Sequence, residues 1–376
     1  MDRREFLLAA GAAGAALATP LQASTPNPPP RPPKAKSFYI DSLGGLDGFD
    51  EPEPGRFVPA APLLEAIRLR RLDAMITTLG EVGNGPDRFQ KAVESIAEWD
   101  RLIAAHPGLL AKVDTAADLA RARAAGRLGL IYTFQDTTAL EGDAARVSTF
   151  AALGLRVLQL TYNKRNLAGD GALERSNAGL SDFGREVIAR INQEKLLLDL
   201  SHAGQRTIAE GIAASKAPPA ITHSGCRALV DFPRNTHDAE MRALADKGGV
   251  FGVYLMPFLR PKGQATAEDL LRHLDHAVNI CGEDHVGIGT DNPLMGYVIN
   301  DEARKRQRAF FEQRTKLGIA APGEAPDVFN LVEGYNSADR YDRIAADLRR
   351  RGWSSTRIEK VLGNNWARLF REVWKA

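Results

Sequence analysis

Three side chains of this sequence have the types and positions to share a metal ion. Leu198-Asp199-Leu200-Ser201-His202 places a histidine just past an apolar run, Ile221-Thr222-His223-Ser224 does the same, and Gly287-Ile288-Gly289-Thr290-Asp291 ends a third run in a carboxylate. Converging, two imidazoles and one carboxylate would make a ligand set for Zn²⁺ or a similar divalent ion. Taken singly, each has a plainer use: a histidine after a strand usually makes structural hydrogen bonds, and an Asp before Asn292-Pro293 usually turns the chain. The coincidence is what counts, because the chain has only seven histidines and two fall at adjacent run ends. His106, His237, His273, His276 and His285 lie in helical or connecting segments and read as structural or solvent-facing.

For these ends to converge, the elements carrying them must open onto one mouth. Short apolar, β-branched runs recur at 38–43, 72–79, 128–134, 156–162, 196–200, 220–222, 250–255 and 286–289. Segments 61–71, 89–105, 182–193, 205–214, 239–247 and 267–280 between them have helical periodicity. Alternation of strand and helix implies a parallel sheet with helical crossovers, and eight strands favour a closed (β/α)₈ barrel of the TIM type over an open doubly wound sheet. In such a barrel functional groups sit at the C-terminal strand ends. Residues 292–336, rich in Pro, Gly and charge, read as a long insertion after the last strand, over the mouth. The segment 337–374 reads as C-terminal helices interrupted at Gly352 and at Gly363-Asn364-Asn365. No glycine-rich phosphate loop follows a strand, which disfavours a nucleotide enzyme.

With 376 residues, 44% of them hydrophobic, and a formal net charge of +2, the chain can bury a large core. It has no field of one sign to attract nucleic acid or an anionic membrane. A small molecule or short peptide is the expected partner. Cys226 and Cys281 are too few for a disulfide framework and sit in apolar surroundings, as free thiols do. Residues 1–23 read as a twin-arginine signal peptide, with Arg3-Arg4 ahead of an Ala/Gly-rich apolar stretch too short to span a bilayer. The proline-rich segment 24–37 reads as a linker, and 38–376 as the folded domain. The expectation is export by the twin-arginine machinery to the periplasm or beyond, with no transmembrane segment in the mature chain.

Several segments resemble the membrane (renal) dipeptidase family: Gly179-Leu180-Ser181-Asp182-Phe183-Gly184, Asp199-Leu200-Ser201-His202, Thr222-His223-Ser224, Arg234-Asn235, His273-Leu274-Asp275-His276, Val286-Gly287-Ile288-Gly289-Thr290-Asp291 and Gly363-Asn364-Asn365. The resemblance implies a (β/α)₈ barrel that holds two zinc ions, bridged by a glutamate, and cleaves dipeptides. It assigns His202 and His223 to the second zinc, Asp291 to the first, and Arg234 to the substrate's terminal carboxylate, which a planar guanidinium fork fits. It also implies a homodimer.

Three departures alter this picture. The family's His-x-Asp after the first strand is missing from Ile40-Asp41-Ser42-Leu43-Gly44-Gly45. Its bridging glutamate is replaced by Gln135, and Asp136 could serve only if the strand slipped by one residue. Its substrate-facing histidine after strand four is replaced by Tyr162, which can still donate to an oxyanion. Without a bridging carboxylate little offsets the repulsion between two cations, so one ion is expected, held by His202, His223 and Asp291 with Gln135 as a neutral fourth ligand. Asp291 could instead act as general base to a metal-activated water. The expected function is a dipeptidase-like metallohydrolase acting on a dipeptide or similar small amide. The alternatives are a catalytically altered relative in peptide-product maturation or binding, and an iron enzyme, since two histidines and one carboxylate also describe the non-haem iron triad.

Overall fold

The structure, a computed structural model, describes residues 37–374 except 54, 55, 70 and 317–319. The expected signal peptide, and all of the linker but Ser37, lie outside the described residues. All eight expected strands form: β1 Ile40–Gly45, β2 Ala74–Thr78, β3 Leu128–Phe134, β4 Leu155–Gln159, β5 Leu197–Asp199, β6 Ala220–Ser224, β7 Val250–Val253 and β8 Val286–Ile288. They pair in parallel in the order of the sequence. The short strand Asn292–Pro293 that follows β8 returns to pair with β1, so the sheet curls into a TIM-type barrel.

The hairpin Phe49–Glu53 with Arg56–Pro59, the strand Leu110–Lys112 and the helices Ala116–Ala124 and Arg146–Ala152 have no counterpart among the expected elements. The insertion contains a helix, Asp301–Lys316, and the expected helix over 61–71 ends at Arg68. Among the described residues no helix is long and apolar enough to cross a membrane.

Two packed layers fix the strands. Ile40, Ala74, Ile76, Ile131, Val157, Leu197, Ala220 and Val250 form one buried cluster with Trp366, Leu369 and Phe370 of the terminal helix Asn365–Val373, which plugs the barrel floor. A Cβ on Gly287 would lie 2.2 Å from the Trp366 indole nitrogen, so only glycine lets the plug seat. Asn365 Nδ2 donates to the carbonyls of Glu283 and Val286. Outside the strands, the helices bury their apolar stripes, as Asp182–Gln193 does with Val187, Ile188 and Ile191 behind a Ser181 cap.

Closure rests on β1. The buried Asp41 carboxylate accepts Thr290 N–H at 2.7 Å and the Thr290 hydroxyl at 2.6 Å, and Asp291 N–H donates to Leu43 O at 2.7 Å. Ser42 Oγ donates to Thr222 O at 2.6 Å and lies 3.0 Å from Ile288 O, pulling β1 towards β6 and β8. Side chains at Gly252 or Gly289 would collide with Thr222 O, at 1.9 and 2.1 Å.

Burial pushes the Asp41 carboxyl up to about 7, against the opposing pull of the Thr290 hydrogen bonds and Arg340. A folded-state value above the unfolded one means that protonation stabilises the fold fully at low pH, and that this contribution is lost as pH rises through 7. From this group stability is expected to fall by about 1 kcal/mol per pH unit as pH rises from about 4 to about 7, and to level off above that. In urea unfolding Asp41→Asn should flatten that part of the pH profile; an unchanged profile would separate the seam from the titration.

Candidate functional site

His202 leaves β5 with φ 59°, in the left-handed region, and His223 lies within β6. Their imidazoles meet edge to face with ring centroids 4.9 Å apart. At His202, Nδ1 lies 2.7 Å from Asn163 Oδ1. That oxygen only accepts, so Nδ1 carries the proton and Nε2 keeps its lone pair. The Nε2 atom is buried and, among the described residues, has no hydrogen-bond partner.

At His223 the same result comes through a longer chain. The Thr222 hydroxyl gives its hydrogen to Asp199 Oδ2 at 2.6 Å, leaving its oxygen to accept from His223 Nδ1 at 2.8 Å. Asp199 also accepts the Ser201 and Thr222 amides, at 2.9 and 3.0 Å. His223 Nε2 therefore also presents a lone pair, with the Gln135 amide 3.5 Å away. Burial, then the positive charge of Arg234, holds both histidines well below their ordinary range. They are neutral at pH 7, the protonation state a metal-ligating imidazole needs.

Gln135, just past β3, joins this pair but brings no charge. Asp136 does not replace it: its carboxylate accepts Gly83 N–H at 2.6 Å and Thr138 N–H at 2.9 Å. On β1, Leu43 is packed in the floor cluster. Asp291 stands at the closing seam with φ 56°, its carboxyl pushed up to about 6 by burial against the pull of Arg234 and Arg314. Among the described residues no three His, Cys, Asp or Glu side chains are grouped to hold a metal. The structure thus joins His202, His223 and Gln135 and does not gather Asp291 with them as a preformed triad. Two Nε2 lone pairs fit one divalent ion; this donor set does not fit two.

Arg234 is buried, at 4% exposure. Its Nη2 lies 3.4 Å from His223 O, and its guanidinium is 5.6 Å from the centre of the Tyr254 ring. Among the described residues it has no carboxylate in ion-pair contact, although a buried cation without a counter-charge is costly. Tyr162 stacks on His202 with ring centroids 4.1 Å apart. Arg314 of the insertion, which Glu324 clasps at 2.8 Å, adds positive charge to the surroundings of Tyr162. Asn163, Thr222 and Asp199, which set the tautomers, and the pair Arg314 and Glu324 were not singled out from sequence. The first three lie beside the histidine motifs, where a polar neighbour was a usable signal; the last two carried none.

The signature described as Membrane dipeptidase (Peptidase family M19) matches residues 69–301. The chain belongs to the membrane dipeptidase family. The match begins after β1, where the first-strand ligands are missing, and ends where the insertion helix starts. A Klebsiella pneumoniae protein, described as an uncharacterized protein in the pqqA 5′ region, is 28% identical over 75% of this chain and 96% of its own. Dipeptidase tcpJ of Claviceps purpurea is 25% identical over 85% of this chain and 72% of its own. Among solved structures, an amidohydrolase from Pseudomonas aeruginosa is 31% identical, with a TM-score of 0.76 over 90% of this chain and 97% of that one.

If Asn163 fixes the His202 tautomer, Asn163→Leu is expected to weaken Zn²⁺ binding roughly 10- to 100-fold, as lost partners of metal ligands commonly do. Competition with a chromophoric chelator measures this. Undiminished affinity would remove the tautomer argument.

Proposed function

We propose that this dipeptidase-family member is an exported metal-dependent hydrolase that holds one divalent ion on His202 and His223 and cleaves a dipeptide or similar small amide. The observation that carries the reading is Arg234: a buried guanidinium that, among the described residues, makes no ion pair with a carboxylate and stands beside two neutral imidazoles. Its fork is available for a peptide's terminal carboxylate. The chemistry a divalent ion supplies when bound there is polarisation of a carbonyl and activation of water. Tyr162 donates to the oxygen on which charge develops. Asp291, with its carboxyl pushed up to about 6, is ionised at pH 7 and is the general base this reading assigns. The reading of export rests on the Arg3-Arg4 signal pattern, and zinc is the ion the family implies.

Among the described residues no third His, Cys, Asp or Glu is grouped with the pair, which favours a second reading, a relative that binds or matures a peptide product without hydrolysing it. Metal analysis and dipeptide assays with and without added zinc decide between them. Zinc at about one ion per chain with turnover supports the hydrolase. Bound zinc without turnover on a broad panel of L,L and L,D dipeptides refutes it in favour of the second reading, and iron at the same stoichiometry would point to oxidative chemistry.

His202→Ala or His223→Ala should lower metal content sharply; unchanged stoichiometry removes these residues from the site. Arg234→Ala should raise KM more than it lowers kcat, since it serves ground state and transition state alike. The opposite pattern would place Arg234 in the transition state.

A further inference from the structure

Arg234 stands on the connection between β6 and the helix Asp238–Asp246, not within a strand or helix. A long side chain in such a place loses much freedom when it is ordered, so both its backbone and its head group must be held. Tyr254 touches both. It follows β7, is 0% exposed and donates its amide to Ser224 O at 3.0 Å.

The hydrogen bonds around Asn235, the residue after Arg234, have a fixed direction. Asn235 Nδ2 donates to Val230 O at 2.8 Å and to Phe258 O at 3.0 Å. With both amide hydrogens spent, Oδ1 is turned to the Tyr254 hydroxyl, which must donate at 2.6 Å because that oxygen only accepts. Ser224 Oγ donates to Arg234 O at 2.9 Å. A closed circuit of contacts therefore runs from Tyr254 to Ser224, Arg234, Asn235 and back. A Cβ on Gly225 would lie 2.2 Å from Asn235 Oδ1 and 3.0 Å from the Tyr254 ring, so glycine is what lets the amide and the phenol meet.

The head group is held by the same residue. The Arg234 guanidinium lies over the Tyr254 ring, 5.6 Å from its centre, within reach of the attraction between a cation and a ring face. Its Nη2 reaches His223 O at 3.4 Å. A carboxylate partner would neutralise the cation and fill its fork; a ring face steadies it and leaves the fork open.

We propose that Tyr254 is a positioning residue for Arg234: its ring seats the guanidinium, and its hydroxyl, through Asn235, fixes the backbone from which Arg234 reaches a substrate's terminal carboxylate. This rests on the reading of Arg234 as the carboxylate anchor.

The test is calorimetry on the zinc-loaded full chain with two probes, a phosphinate dipeptide isostere with a free terminal carboxylate and the same molecule as its terminal carboxamide. The ratio of the two affinities isolates what Arg234 contributes. Tyr254→Phe keeps the ring and loses the hydroxyl; it should lower that ratio roughly three- to tenfold, the worth of one hydrogen bond, with the carboxamide binding as before. Tyr254→Leu, which loses the ring as well, should lower it further. Arg234→Ala should bring the two probes close together, and Tyr254→Phe added to it should change the ratio no more, since the two act as a unit. The proposal is overturned if Tyr254→Phe keeps the wild-type ratio, if it weakens both probes equally, or if it still lowers the ratio without Arg234. Wild-type protein that binds the acid no better than the carboxamide overturns the anchor and this role with it. A ratio that depends on Tyr254 in a protein that turns over no dipeptide supports this role and sinks the hydrolase reading alone.

Discussion

The hydrogen bonds from Thr290 to the buried carboxylate of Asp41 join the last strand to the first, and the mouth of the barrel is built on that join. Asp291 is the next residue, its amide tied to Leu43 O and its backbone in the left-handed region. Strain of this kind persists only where surrounding bonds over-determine it. The insertion departs from the same point, so the placement of both Asp291 and the insertion helix descends from the β1 seam. A cost accompanies this: the carboxylate that closes the ring is desolvated, and its charged form is disfavoured.

The first strand also explains the limited donor set. Ser42 reaches across to β6 and β8, Leu43 packs into the floor and Asp41 serves the seam. None is left to face an ion. What remains at the mouth is a neutral imidazole pair under the field of Arg234, an environment that favours anions and a single cation over two. The Asp199, Thr222 and His223 chain shows how a buried acid acts at a distance: it never reaches the pocket, yet it decides which nitrogen does.

Much of this was legible in the sequence, for a physical reason. Barrel strands are covered on both faces, so they appear as unbroken apolar runs, and Leu128–Phe134 is buried at every position. His202 and His223 could be read because residue type and strand end coincide. The helix Ala116–Ala124 escaped because it buries only Leu119 and Ala122 among charged neighbours, and Leu110–Lys112 is a three-residue strand too short to show a period. Arg314 was invisible for a different reason. The insertion helix buries only Ala303, so it lacks an apolar stripe, and the partners of Arg314 are set by tertiary contacts that no local pattern encodes.

The terminal plug has a temporal consequence. Trp366, Leu369 and Phe370 share one cluster with side chains from β1 to β7, and Asn364 accepts the amide of Phe38 at the other extreme of the domain. A nascent chain therefore leaves the ribosome with its barrel floor still open to water, and the cavity is stoppered only once the last helix has emerged. Until that moment an apolar ring stands exposed at the floor, and afterwards only the mouth stays open.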